Sequence, residues 1–172
     1  LEFADKIVNP LLRGLAATGV ARIQIDEPSA SVFEGQEELF YEATRRSIEG
    51  VTGAEIGMHI CFSKDYSTIA GVGRFPLKFL TLELANRDDA THGNYTKAVE
   101  AFEKAGYKGT YAVGVFPVHT SEIPSPQVIA ERLIHVAKLV GPERVEAAPD
   151  CGLRTRPLDV AVKQLQALVM GA

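Results

Sequence analysis

The chain offers few soft or borderline metal donors, two cysteines and four histidines in 172 residues. Two of them stand two apart, His59 and Cys61, in the stretch Met58-His59-Ile60-Cys61-Phe62-Ser63. This stretch closes a short apolar run, Ala54-Glu55-Ile56-Gly57, that reads as a β-strand. On an extended chain, residues i and i+2 share a face. An imidazole and a thiol side by side where a strand runs out can hold a metal such as zinc. A lone His-x-Cys pair also arises by chance, so its weight depends on what other strand ends bring to the same place.

The elements that must position the pair follow from hydrophobic periodicity. The spacing predicts a helix over 4–18, with Ile7, Leu11, Leu12 and Leu15 on one face and Pro10 as an interior flaw. A strand over 21–25 follows, stopped by Asp26-Glu27-Pro28. Helical spacing returns over 36–50, then comes the strand ending at His59 and Cys61, then a short helix over 65–70. Strands are predicted at 79–84, 111–116 and 144–148, and helices at 95–105, from Ser125-Pro126 to about Val140, and at 157–169. Ser125 is placed as a cap and Pro126 at the first helical position. Helix and strand alternate with a period of roughly 30 residues, which implies a parallel sheet of βα units.

No Gly-x-Gly-x-x-Gly follows the first strand, so dinucleotide binding is disfavoured. A complete (β/α)8 barrel needs eight units and usually about 250 residues. Five strands make either an open sheet or the C-terminal part of a barrel whose first three strands lie elsewhere. One domain over residues 1–172 is expected.

Composition narrows the function classes. With 46% apolar and 23% charged residues the chain can bury one core. Net charge is −4 and no Lys/Arg block exceeds two, so nucleic acid and anionic membranes are not expected partners. No apolar run reaches the roughly 18 residues of a membrane span. No signal-peptide pattern is seen, and two distant cysteines are no disulfide framework, so a cytoplasmic, reducing compartment is expected. Leu1 in place of an initiator methionine suggests a fragment or an incomplete record of the sequence.

The C-terminal ends of strands are where α/β proteins place their chemistry. Here they carry Asp26 and Glu27, then His59 and Cys61, then Glu83, then His119, then Asp150 and Cys151. Among these, His59, Cys61, Glu83 and Cys151 form an N, S, O, S set suited to tetrahedral zinc. The competing reading makes Cys61 and Cys151 small buried hydrophobes. Asp26 and Glu27 are also read as surface turn residues, with Glu27 supporting the turn. Asp150 is read as orienting a neighbour of the ligand it precedes. Arg154 and Arg156 suit a substrate carboxylate or surface ion pairs equally. His92 and His135 are expected to be solvated or structural, and Tyr66, Tyr95 and Phe102 to be packing.

These residues match a family pattern. The runs Ile23-Gln24-Ile25-Asp26-Glu27-Pro28, His59-Ile60-Cys61, Leu82-Glu83, Gly114-Val115-Phe116-Pro117-Val118-His119-Thr120 with Ile123-Pro124-Ser125, and Pro149-Asp150-Cys151-Gly152-Leu153-Arg154-Thr155-Arg156 occur in order along almost the whole chain. They resemble the catalytic domain of cobalamin-independent methionine synthase. The resemblance implies the C-terminal part, about five βα units, of a (β/α)8 TIM barrel with zinc at its mouth. It implies transfer of a methyl group from a methylated folate to a zinc-bound thiol such as homocysteine, making methionine. Relatives use methylcobamide donors or other thiols such as coenzyme M. On this resemblance His59, Cys61, Glu83 and Cys151 are the zinc ligands, Asp26 binds the amino group of homocysteine, and His119 protonates the departing pterin nitrogen. Pro117 stands where the family usually has an aspartate, which removes the expected partner of His119. A partner chain or a missing N-terminal segment would complete the barrel. A zinc-binding half-barrel, inactive alone, is the non-enzymatic alternative. A uroporphyrinogen-decarboxylase-like activity rests on fold alone, and its chemistry has no need of zinc thiolates.

The chemistry accounts for the ligand set. A free thiol has a pKa near 8.5, and only its thiolate is a good nucleophile. Two thiolates and one carboxylate around Zn²⁺ sum to −1 before substrate arrives, which keeps an incoming sulfur electron-rich and disfavours hydrolysis. Glu83, the hardest donor, is the ligand expected to yield to the substrate sulfur. A secondary amine leaves poorly as an anion, so a proton donor such as His119 suits a folate methyl donor.

Overall fold

A computed structural model describes residues 1–30, 35–62 and 65–172. Ser63, the last residue of the His-x-Cys stretch, lies outside the described residues. Five strands, β1 (Arg22–Glu27), β2 (Glu55–Ile60), β3 (Phe79–Leu82), β4 (Thr110–Gly114) and β5 (Val145–Ala148), form one sheet in the order β1-β2-β3-β4-β5. Register is parallel from Arg22↔Glu55 to Glu27↔Ile60, and from Tyr111↔Val145 to Gly114↔Ala148. The simple sequential order is that of barrel βα units; a doubly wound sheet reverses its order at a switch point. The α-helices are α1 (Asn9–Ala17), α2 (Glu37–Ile48), α3 (Gly93–Lys104), α4 (Pro126–Val140) and α5 (Leu158–Gly171). Strands β2 to β4 are buried along most of their length, whereas β1 alternates exposed residues with buried or half-buried ones and β5 is half-buried throughout.

The chain divides into two compact units. The first comprises residues 1–80 and 101–109. Its opening helix departs from the predicted single α-helix over 4–18. Residues Ala4–Val8 form a wider π-turn, in which the Asn9 N–H reaches back to the Ala4 carbonyl. The α-helix proper begins at Asn9, with Pro10 in its first turn, where a missing N–H does no harm. Of the predicted apolar face only Leu12 is buried, together with Ala4 and Ala16, while Ile7, Leu11 and Leu15 are exposed. Asn9 also caps α2 from outside. Its Nδ2 donates to the carbonyls of Arg46 (3.1 Å), Ser47 (2.9 Å) and Glu49 (2.9 Å), at the helix C-terminus where intrahelical donors run out. Asn9→Ala is therefore expected to cost about 1–2 kcal/mol, read as a lower denaturant midpoint at unchanged slope.

The core of this unit includes an aromatic cluster. Phe102 is fully buried, its ring 5.9 Å from Tyr66 and 6.2 Å from Tyr107 by centroids. The predicted short helix over 65–70 is two 3-10 turns, Tyr66–Thr68 and Ala70–Arg74.

The second unit comprises residues 81–100 and 110–172. Here α4 packs on β5 and α5. Pro126 starts α4 as predicted, but the Ser125 side chain makes no cap bond and donates instead to Gln127 Oε1 at 2.7 Å. The third strand is shorter than predicted. It stops at Leu82, and Ala85–Arg87 turn as a 3-10 helix, so Glu83 and Leu84 fall in the connection. Among the described residues no helix is long and apolar enough to cross a membrane.

Candidate metal centre

In the first unit, β2 delivers His59 as its penultimate residue and Cys61 immediately after its end, both buried. Gly57 precedes them on the same face. A Cβ there would strike the Phe79 ring, so only glycine lets that ring lie against the strand. The strand end is pinned by the Tyr66 hydroxyl, which donates to the Ile60 carbonyl at 2.9 Å. Phe62 then adopts φ 58°, an uncommon left-handed conformation for a bulky residue, directly after Cys61.

Asp26 and Glu27 are the last two residues of β1 and not turn residues, with Asp26 opposite His59 in the ladder. Asp26 is exposed, and its Oδ1 accepts from Gln24 Nε2 at 2.8 Å. Glu27 Oε1 accepts from the Ser29 N–H at 2.8 Å, the turn-supporting role expected of it. Both line a cavity of about 250 Å³ whose other walls include Phe3, Phe40 and Met58.

In the second unit, Glu83 is the first residue past β3 and is buried, with Oε1 accepting from Asn86 Nδ2 at 3.2 Å. Asp150 lies two residues past β5 and is 1% exposed. Burial pushes its carboxyl up to about 7, against the pull of three backbone N–H donors at Leu84, Ala85 and Asn86. Cys151 follows, half-buried. His119 is exposed in the turn that leaves β4, after the buried Val118 and the half-buried Pro117. The Tyr95 hydroxyl donates to the Gly114 carbonyl at 2.7 Å, and burial pushes its phenol well up. Tyr66, Tyr95 and Phe102 are thus packing residues, as expected.

His92 and His135 belong to a separate structural cluster in the second unit. His92 Nδ1 meets Asp88 Oδ2 at 2.9 Å, Arg132 Nε donates to the same oxygen at 3.0 Å, and His135 Nε2 meets Thr96 Oγ1 at 2.8 Å. Burial, reinforced by His92, holds the His135 pKa below its ordinary value.

Of the sequence-predicted residues, His59, Cys61 and Cys151 offer ligand atoms that all lie within 4.8 Å of one another. Neither Glu83, Asp26 nor His119 belongs to that group. One imidazole nitrogen and two thiol sulfurs are the donor types zinc selects, with room for a fourth ligand in a tetrahedral shell. This donor set fits zinc. Asn86 and Gly114 had no assigned role in the sequence. A side-chain amide three residues after a candidate acid is a faint signal, and Gly114 lay inside a matched motif without a stated reason.

A parallel α/β sheet in barrel order, with one imidazole at a strand end and two thiols just past strand ends, defines a barrel-type protein with a candidate thiolate–imidazole centre. The chain belongs to the family described as "Cobalamin-independent synthase, Catalytic domain", whose model matches residues 7–172. It is similar to the methionine synthase of Thermoplasma acidophilum, 32% identical over 99% of this chain and 54% of the relative. It is also similar to the methionine synthase of Thermococcus kodakarensis, 30% identical over 96% of this chain and 47% of the relative. Among solved structures, a B12-independent methionine synthase from Shewanella sp. W3-18-1 in complex with selenomethionine superposes with TM-score 0.84 at 24% identity, covering 99% of this chain and 52% of that one. A putative vitamin-B12-independent methionine synthase from Listeria monocytogenes gives TM-score 0.69 at 18% identity, covering 99% and 54%. The chain spans about half the length of the curated relatives it matches.

Proposed function

We propose that the chain carries the thiol-activating half of a zinc-dependent methyltransferase that moves a methyl group from a methylated folate to homocysteine. The observation that carries this reading is the gathering of His59, Cys61 and Cys151 within 4.8 Å, in a member of the cobalamin-independent synthase family. His59, Cys61 and Cys151 would hold zinc, with Glu83 as the fourth and most easily displaced ligand. Zinc would supply a site at which a thiol loses its proton near neutral pH. In the transfer, a sulfur electron pair forms the new bond to the methyl carbon as the bond from that carbon to the pterin nitrogen breaks. His119, exposed in its turn, gives the nitrogen a proton. Asp26, exposed at the end of β1, accepts hydrogen bonds from the amino group of the substrate. Unpaired thiols are kept reduced in the cytosol, which supports a cytoplasmic location.

Assay of homocysteine methylation with methylfolate and methylcobamide donors in parallel tests the reading. Methylation from the folate alone, lost when the metal is chelated, supports it. Methylation from the cobamide alone, or of coenzyme M in preference to homocysteine, would favour the related alkyltransferases. Coverage of only about half of each relative favours a second reading, a zinc-binding half that needs a partner segment for catalysis. Exposed apolar side chains agree with it: Ile7, Leu11 and Leu15 in the first unit, and Val162, Leu165 and Val169 in the second. Concentration-dependent association in light scattering, with zinc bound and no methyl transfer, would select this reading.

A further inference from the structure

We propose that Asp150 is a positioning residue that fixes Glu83 and Cys151 relative to each other; this rests on the zinc reading above. The two candidate ligands leave different strands, β3 and β5, and their connections are joined by one buried carboxylate. Asp150 Oδ1 accepts from the N–H groups of Leu84 (3.0 Å) and Ala85 (2.9 Å), and Oδ2 accepts from the N–H of Asn86 (2.7 Å). These amides belong to the three residues that directly follow Glu83. The Asp150 N–H in turn donates to the Phe116 carbonyl at 3.1 Å, anchoring its own segment. Asn86 closes the circuit, because its backbone is held by Asp150 while its side chain donates to Glu83 Oε1 at 3.2 Å. A further tie comes from Asn94, whose Nδ2 donates to the Leu84 carbonyl at 2.7 Å.

The space for this carboxylate exists because residue 114 is glycine. A Cβ at Gly114 would collide with Asp150 Oδ1 and lie 2.5 Å from the Leu82 carbonyl oxygen. Gly114, Asp150 and the 84–86 turn therefore make one device. It orients the Glu83 carboxylate and sets the starting point of Cys151. A carboxylate suits the place because it only accepts, and all three facing groups are donors. The isosteric amide cannot do the same, since its NH₂ would meet at least one of those N–H groups donor to donor.

The test uses the full chain, with cobalt(II) and zinc as probes. Affinities are read by competition with a chromophoric chelator, and site geometry by the visible spectrum of the cobalt form. Asp150→Asn is expected to weaken metal binding about 10–100-fold and to shift the cobalt bands, the range found when outer partners of metal ligands are removed. Amide exchange at Leu84, Ala85 and Asn86 in the metal-free protein should quicken in the same variant. Gly114→Ala, which displaces the carboxylate without removing it, should give the same spectral change, and this arm serves should Asp150→Asn fail to fold. Asn86→Ala, which loses only the side-chain bond to Glu83, should weaken binding by about 10-fold at most. Asn9→Ala, in the first unit, is the control: it loosens the end of α2, touches no candidate ligand segment, and should leave the cobalt spectrum unchanged. Unchanged affinity, spectrum and amide exchange in folded Asp150→Asn would overturn the inference and leave the zinc reading intact. Absence of any metal binding by the wild-type chain would overturn the zinc reading, and the inference with it.

Discussion

Cys61→Ser is expected to lower zinc affinity by more than about 100-fold. Structural zinc sites bind with about 10–16 kcal/mol, so one ligand of four accounts for roughly 3 kcal/mol, or about two orders of magnitude. Serine keeps the size of the side chain but not its chemistry, because a hydroxyl stays protonated where a thiol bound to zinc does not. Cys61 is buried at 5% exposure, so water cannot readily take the lost sulfur's place. Glu83→Gln should cost less. The carboxylate is the hardest donor of the proposed set, and it is hydrogen-bonded to Asn86 instead of grouped with the other three donors. Competition titration against a chromophoric chelator measures both variants. Equal losses would mean that Glu83 is as firm a ligand as the thiols, and the proposed exchange of Glu83 for substrate sulfur would fail.

The largest effect on stability is expected from Phe102→Ala, about 3–5 kcal/mol. The ring has no exposed surface and stands between Tyr66 and Tyr107. Its removal leaves a cavity that neither neighbour can fill without moving. Tyr66 is not free to move, because its hydroxyl holds the carbonyl of Ile60 between His59 and Cys61. For a protein of this size the loss corresponds to roughly 6–20 °C in melting temperature. Thermal unfolding by circular dichroism gives the number. A shift below about 2 °C would mean that the cluster repacks, and that Tyr66 does not owe its position to Phe102.

Much of the scaffold was legible in the sequence because its signals are local. Short apolar or alternating stretches marked the five strands, most weakly at Val145-Glu146-Ala147-Ala148, and Ser125-Pro126 marked the start of α4. The departures have local causes as well. Periodicity puts Pro10 inside a helix, whereas a π-turn over Ala4–Val8 lets the α-helix begin next to it. The apolar stripe of Ile7, Leu11 and Leu15 has helical spacing but is not buried, since periodicity reports amphipathicity and not which face is covered. β-Propensity extends strand β3 through Leu84, yet Asp150 captures the amides of Leu84, Ala85 and Asn86 where the chain turns away.

At the site, His59 and Cys61 were readable from an i, i+2 spacing. Cys151 lies 90 positions beyond Cys61, and only the parallel order of the strands made their meeting a reasonable expectation. The bonds from Asp150 to residues 84–86 span 64 to 66 positions and leave no periodic trace, so their partners had to be seen in three dimensions. Gly114 shows the same limit. A glycine in a strand signals close approach, but not by what.

The proposed centre is one zinc ion held by His59, Cys61 and Cys151. Its most direct test is the zinc content of freshly purified protein, grown with zinc supplied, measured by atomic emission. About one zinc per chain, lost in both Cys61→Ser and Cys151→Ser, is the expected result. Protein that is folded and reduced but carries no zinc would contradict the claim.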